Sequence, residues 1–307
     1  VSAVSGMGTP DLLGSYGMFS FYTSRPGEGQ REVTGGTVFP VRVVNDRVAA
    51  ELRGPANSLH RDKPQIRLPF VVHRDPRQDV VKLSISGQEL VLTKGEWSGW
   101  IRLSFEAVPH LKAVKGICKV LVKQVHPDFE MYVSPINVDP LDQALPVTAP
   151  RGYGRELVEH VGLFDTKGLP ADTKALSYDV LSEDEYIQLS GQIMEESGRI
   201  LAYELGKLKR RDSGVLFFYF SNLDQDSHMY WRAIDKDHPL HTAELGRRFS
   251  DVIRNLYARM DTTLGSVLES FDVADPDFTL IVMSDHGFAP YYRSVNLNTW
   301  LLRNGYV

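Results

Sequence analysis

Two runs of consecutive apolar residues restrict the fold of this 307-residue chain more than any other feature: Val215-Leu216-Phe217-Phe218-Tyr219-Phe220 and Thr279-Leu280-Ile281-Val282-Met283. Neither alternates polar with apolar, so neither suits a strand with one wet face. Each reads as a strand buried on both sides. The residues between and before them have helical period. Leu245, Phe249, Val252, Leu256, Met260, Leu264 and Val267 fall on one face of a helix predicted over 242–271. Ser182 and Glu185 form a capping-box pattern that opens another helix, reaching about Arg211, with Tyr186, Leu189, Ile193, Ile200, Leu201, Leu205 and Leu208 at helical spacing. A third begins at Asn298. Long helices alternating with doubly buried strands predict an α/β fold with a mostly parallel sheet flanked by helices.

Upstream the pattern is different. Between about 36 and 140 the period is two: Val81, Leu83 and Ile85 alternate with Lys82 and Ser84, and Ile101, Leu103 and Phe105 with Arg102, Ser104 and Glu106. Asn45-Asp46 and Ser86-Gly87 predict turns between such runs. Pro135, Pro140, Pro146 and Pro150 mark the exit from this segment. Residues 36–140 therefore read as an all-β module inserted into an α/β domain made of 1–35 and 141–307. Trp97 and Trp100 are expected in the core of the module. Within 1–35, Met18-Phe19-Ser20-Phe21-Tyr22 suits a short strand.

The net charge of −5 argues against a general affinity for nucleic acid duplexes. One cysteine, Cys118, excludes an internal disulfide and a cysteine-rich zinc cluster. No apolar run approaches the roughly 20 residues of a membrane-spanning helix, and no signal peptide is visible, so a soluble protein is expected, cytoplasmic rather than periplasmic. Its oligomeric state is left open. The chain starts at Val1 and stops at Val307 straight after a helix-like segment, so both ends read as cut.

The chemistry sits just after the two apolar runs. Asp224-Gln225-Asp226-Ser227-His228 follows the first, and Ser284-Asp285-His286-Gly287 the second. In open α/β sheets, ligands and metals collect where strands open into loops. Asp224 and His228 are four apart, so one helical turn points both the same way. Alone, this spacing more often marks a helix cap and a partly buried histidine. Asp285 and His286 can converge only if their strand ends there, which Ser284 and Gly287 favour; the alternative is a tight turn with an Asp bonded to its own backbone. Together, two such pairs favour metal binding, since carboxylate and imidazole suit Zn²⁺. Asp226 reads as a solvated acid or a neighbour of a ligand. His238 and Arg293 could contact substrate; for His238 a surface loop, and for Arg293 a salt bridge, are the plainer readings. His60, His73, His110, His126 and His160 read as structural or solvated, and His241 as a loop residue.

The strings L-D-Q-D-S-H-M-Y-W and I-V-M-S-D-H-G-F resemble the alkaline phosphatase superfamily, in particular its type I phosphodiesterase/nucleotide pyrophosphatase branch. Residues 5–14, 132–137 and 296–301 are similar to bacterial members of that branch. The resemblance implies an alkaline-phosphatase-like fold, a small phosphate-ester substrate and two Zn²⁺ ions (or other divalent metals), one on Asp224 and His228 and the other on Asp285 and His286. It also implies an upstream Asp and a Thr or Ser nucleophile, and a further downstream His, none with a counterpart here. Ser5 and Thr9 fall in a segment that follows the nucleophile in similar proteins. The chain is thus expected to be the central portion of a longer enzyme and inactive alone. Competing expectations are a phosphomonoesterase or phosphomutase on the same metals, and a non-catalytic relative that binds a partner. A sulfatase fits poorly, because Cys118 lacks the required setting.

Overall fold

The computed structural model describes residues 2–4, 6–27, 29–108 and 111–306. Ser5 and His110 lie outside them. The chain divides into two compact units, Val1–Glu204 and Leu205–Val307.

The strands in chain order are β1 (Ala3–Val4), β2 (Phe19–Thr23), β3 (Arg31–Val33), β4 (Gly36–Pro40), β5 (Val43–Val44), β6 (Arg47–Ala56), β7 (Gln65–Arg74), β8 (Val80–Ile85), β9 (Gln88–Thr93), β10 (Ile101–Val108), β11 (Lys112–Cys118), β12 (Val120–Gln124), β13 (Glu130–Val133), β14 (Asn137–Val138) and β15 (Thr148–Ala149). The helices are α1 (Gly152–Val161), α2 (Thr173–Ser177), α3 (Glu183–Leu208), α4 (Asn222–Ile234), α5 (Ala243–Phe249), α6 (Val252–Ser270) and α7 (Leu297–Arg303).

In the first unit, β5 to β9 form an antiparallel meander in sequence order. Its alternation is regular: Val48 and Leu52 of β6, Phe70 and Val72 of β7, and Leu83 and Ile85 of β8 point inward and are buried. The β5–β6 turn places Asn45 and Asp46 at φ 51° and 55°, the left-handed pair that a two-residue hairpin of this kind requires. A second sheet runs β12-β13-β2-β4-β3, and β10-β11-β14 form a third. Leu103 and Phe105 of β10, Val120 of β12 and Met131 of β13 share one core with the meander. The expected strand near 18–22 is β2, paired with β4 and β13.

The capping box opens α3 as expected: Ser182 N–H donates to Glu185 Oε2 (2.7 Å) and Glu185 N–H to Ser182 Oγ (3.3 Å). Tyr186, Leu189 and Ile193 are buried. Trp97 sets its ring edge-on to Tyr132, with centroids 5.6 Å apart. Trp100 is only half-buried and donates its indole N–H to Glu196 on α3 (3.0 Å), a polar role rather than the expected core packing.

Two expectations for the second unit are corrected. Segments 215–220 and 279–283 are not strands, and no mostly parallel sheet exists among the described residues; β2–β4 is the one parallel pair. A strand is defined by its ladder, and no neighbouring strand among the described residues supplies one. Val215, Phe217, Ile281, Val282 and Met283 are exposed accordingly. The architecture is mixed α/β with several small, mostly antiparallel sheets. The helix expected over 242–271 is two, α5 and α6, parted at Ser250-Asp251. Ser and Asp have low propensity for a helix interior, which fits a break there. Tyr230 of α4, Phe249 of α5, and Ile253 and Leu256 of α6 form the buried apolar face of this helical group.

Candidate metal centre

Asp224 lies in the first turn of α4 and His228 one turn later, so both side chains leave the helix on one side. Asp224 Oδ1 is 3.4 Å from His228 Nε2 and 3.6 Å from His286 Nε2, which arrives from the segment after the second apolar run. Asp285 Oδ2 is 3.7 Å from His286 Nε2. His228 and His286 thus both approach the Asp224 carboxylate, and Asp285 approaches His286. That carboxylate has an unusual feature: Asp224 Oδ1 is a buried oxygen that accepts no hydrogen bond from the described residues. A buried oxygen left without a donor is costly, and it is free to accept a cation.

Donors sharing a tetrahedral zinc at about 2.0–2.1 Å lie about 3.3–3.4 Å apart, close to the two separations at Asp224 Oδ1. The fit is nevertheless one of pairs. Among the described residues, no group of three or more His, Cys, Asp or Glu side chains is arranged to hold a metal ion. His286 Nδ1 lies 2.8 Å from Gly287 O. That bond, followed by the Asp285 carboxylate, holds the imidazole above its ordinary pKa. Nδ1–H donation to the carbonyl leaves Nε2 as the atom facing the carboxylates.

Aromatic rings surround His228. Phe288 meets it edge-on at 4.9 Å and Tyr291 lies nearly parallel at 6.2 Å. Phe288 also contacts Trp231 of α4 at 5.1 Å. These neighbours were missed in the sequence, although all lie within five residues of a string. Spacing along the chain gives no sign that Phe288 crosses to α4.

The other expected residues are dispersed. His238 sits in the loop after α4, its ring 5.9 Å from that of Tyr292. Tyr292 in turn donates to Asp235 Oδ2 (2.5 Å), a bond that raises the phenol pKa and lowers that of the carboxyl. Arg293 is exposed and makes no ion pair among the described residues. Asp226 is buried in α4, not solvated. Thr9 Oγ1 donates to Gly6 O (2.9 Å). His60 and His73 are exposed, while His126, His160 and His241 each set a ring nitrogen against a backbone carbonyl.

A helix and a loop that bring two imidazoles to one half-buried carboxylate offer donor types that suit a divalent metal. The family model for type I phosphodiesterase / nucleotide pyrophosphatase matches residues 148–307, and the chain belongs to that family, part of the alkaline phosphatase superfamily. Searches of curated proteins and of solved structures found no match. Family membership points to hydrolysis of a small phosphate ester, and the family is generally metal-dependent. No described helix is long and apolar enough to cross a membrane.

Proposed function

We propose that the chain contributes the metal-binding half of a phosphodiesterase/nucleotide pyrophosphatase centre, in which Asp224 and His228 hold one Zn²⁺ and Asp285 and His286 another, with a Thr or Ser nucleophile supplied from upstream. The observation that carries this reading is the unpartnered, buried Oδ1 of Asp224 between two imidazole nitrogens. The metals, when bound, supply Lewis-acid stabilisation of negative charge on phosphoryl oxygens and lower the pKa of a bound hydroxyl. The protein's own part is to keep carboxylates and imidazoles in the ligating state. His228 is fixed by Phe288 and Tyr291, and the Gly287 carbonyl selects the His286 tautomer. The division into a catalytic domain of 1–35 and 141–307 around an inserted 36–140 module belongs to the same proposal.

Imidazole binds a metal only when Nε2 is unprotonated. Because His286 is held above its ordinary pKa, protons compete effectively, and metal affinity should fall as pH is lowered through the histidine range. In the complete gene product, Asp224→Ala and His286→Ala should each abolish zinc-dependent hydrolysis of bis(4-nitrophenyl) phosphate. Near-normal turnover in both variants overturns the assignment.

A further inference from the structure

The outward face of the β5–β9 meander carries cationic side chains, most of them already paired. Arg53 pairs with Glu32 (2.7 Å), Arg67 with Glu51 (3.3 Å) and Lys82 with Glu89 (2.8 Å). Asp46 is taken by Arg74 (2.8 Å). Arg42, just before β5, Arg47 and His73 make no side-chain hydrogen bond or ion pair among the described residues, and all three are exposed. They are not scattered. Arg47 of β6 stands directly opposite His73 of β7 in the ladder, where side chains are about 4.5–5.5 Å apart at Cβ. Arg42 lies just across the rigid Asn45-Asp46 turn.

The three line one groove, a cavity of about 720 Å³. Its exposed apolar lining includes Pro40 and Ala49, and its sole acid among the described residues, Glu51, is the one held by Arg67. Donors placed directly opposite each other with no acceptor between them bring no stability to a sheet. In a chain of net charge −5, an unneutralised basic groove is a local feature, not a reflection of overall composition. Guanidinium forks match phosphate oxygens in a bidentate manner.

We propose that this groove is a binding site for a small organic phosphate, its phosphate held by Arg42, Arg47 and His73 and its organic part lying against the exposed Pro40 and Ala49. The choice of a phosphate over other anions rests on the proposed hydrolase function; the anion site itself does not.

The test is calorimetric titration of the chain with phenylphosphonate, which cannot be hydrolysed as an ester, in the presence of a chelator so that metal-dependent binding is removed. Saturable binding is expected, weakened at least tenfold in Arg47→Gln and in Arg42→Gln and unchanged in Lys94→Gln. Both arginines are exposed, and matching thermal unfolding of the variants confirms their fold. Inorganic phosphate should bind several-fold more weakly than phenylphosphonate. Absence of saturable binding, or binding indifferent to Arg47→Gln, overturns the site. Equal affinity for inorganic phosphate overturns the organic ligand, and Arg47-dependent binding of a DNA duplex tighter than either probe overturns the small-molecule assignment. Persistence of binding without metal, with or without hydrolytic activity in the complete protein, separates this inference from the metal-centre proposal.

Discussion

A Cβ built on Gly54 would lie 2.2 Å from Cδ1 of Phe105, a ring with no exposed surface. The ring has nowhere to retreat, so Gly54→Ala should destabilise by about 1–3 kcal/mol, the usual cost of overpacking, measured as a lower urea midpoint. Cys118 illustrates the same close packing. Burial pushes its thiol up to about 12, so it should stay silent to a thiol reagent in the native chain and react only on unfolding. Neither fact is legible in the sequence, because both arise where one sheet faces another. The Asn45-Asp46 turn is legible, since its left-handed backbone is a local demand on two adjacent residues.

At the scale of elements, α3 is the best anchored. Glu196 on α3 accepts from Lys119 Nζ (2.8 Å) and Trp100 Nε1 (3.0 Å) with one oxygen, and from Asp165 N–H (3.1 Å) with the other. Lys119 also reaches Gln192 (2.9 Å). Lys119→Ala leaves Glu196 buried and uncompensated and should cost about 3–5 kcal/mol, whereas replacing both partners by apolar residues should cost far less. A calorimetric comparison of the single and double variants checks this. Beside the pair, desolvation, opposed by Lys167, raises the Asp165 carboxyl from 3.8 to about 6, with Glu196 adding to the rise and Lys119 opposing it. Between those values the folded state keeps a proton that the unfolded state has released. The associated penalty is absent below pH 3.8 and complete above about 6. Asp165→Asn should therefore raise stability at pH 7 and flatten its fall between pH 4 and 6 in urea midpoints. The long α3 is legible from its period and its cap. The break at Ser250-Asp251 is not, because the apolar face of α5 runs on into α6 and periodicity alone joins them.

At the scale of the whole molecule, the family match over residues 148–307 and the clustering at Asp224 rest on different observations and agree. The Asp/His strings stand out in the sequence because each follows an apolar run. That His286 and His228 would meet at one oxygen was not legible, since no spacing relates residues 58 positions apart. The mixed α/β class was legible, but the expected parallel sheet is not seen among the described residues: apolar runs announce strands, and a strand also needs a neighbour to pair with. Zinc bound by the folded pairs stabilises the native state by mass action, so zinc should raise the melting temperature and a chelator should return it. The most direct test is a zinc titration of the 307-residue chain with its Asp224→Ala and His286→Ala variants. Zinc binding by the native chain, weakened or lost in each variant, is the predicted result. No zinc binding by the native chain, or equal binding by all three, would contradict the assignment.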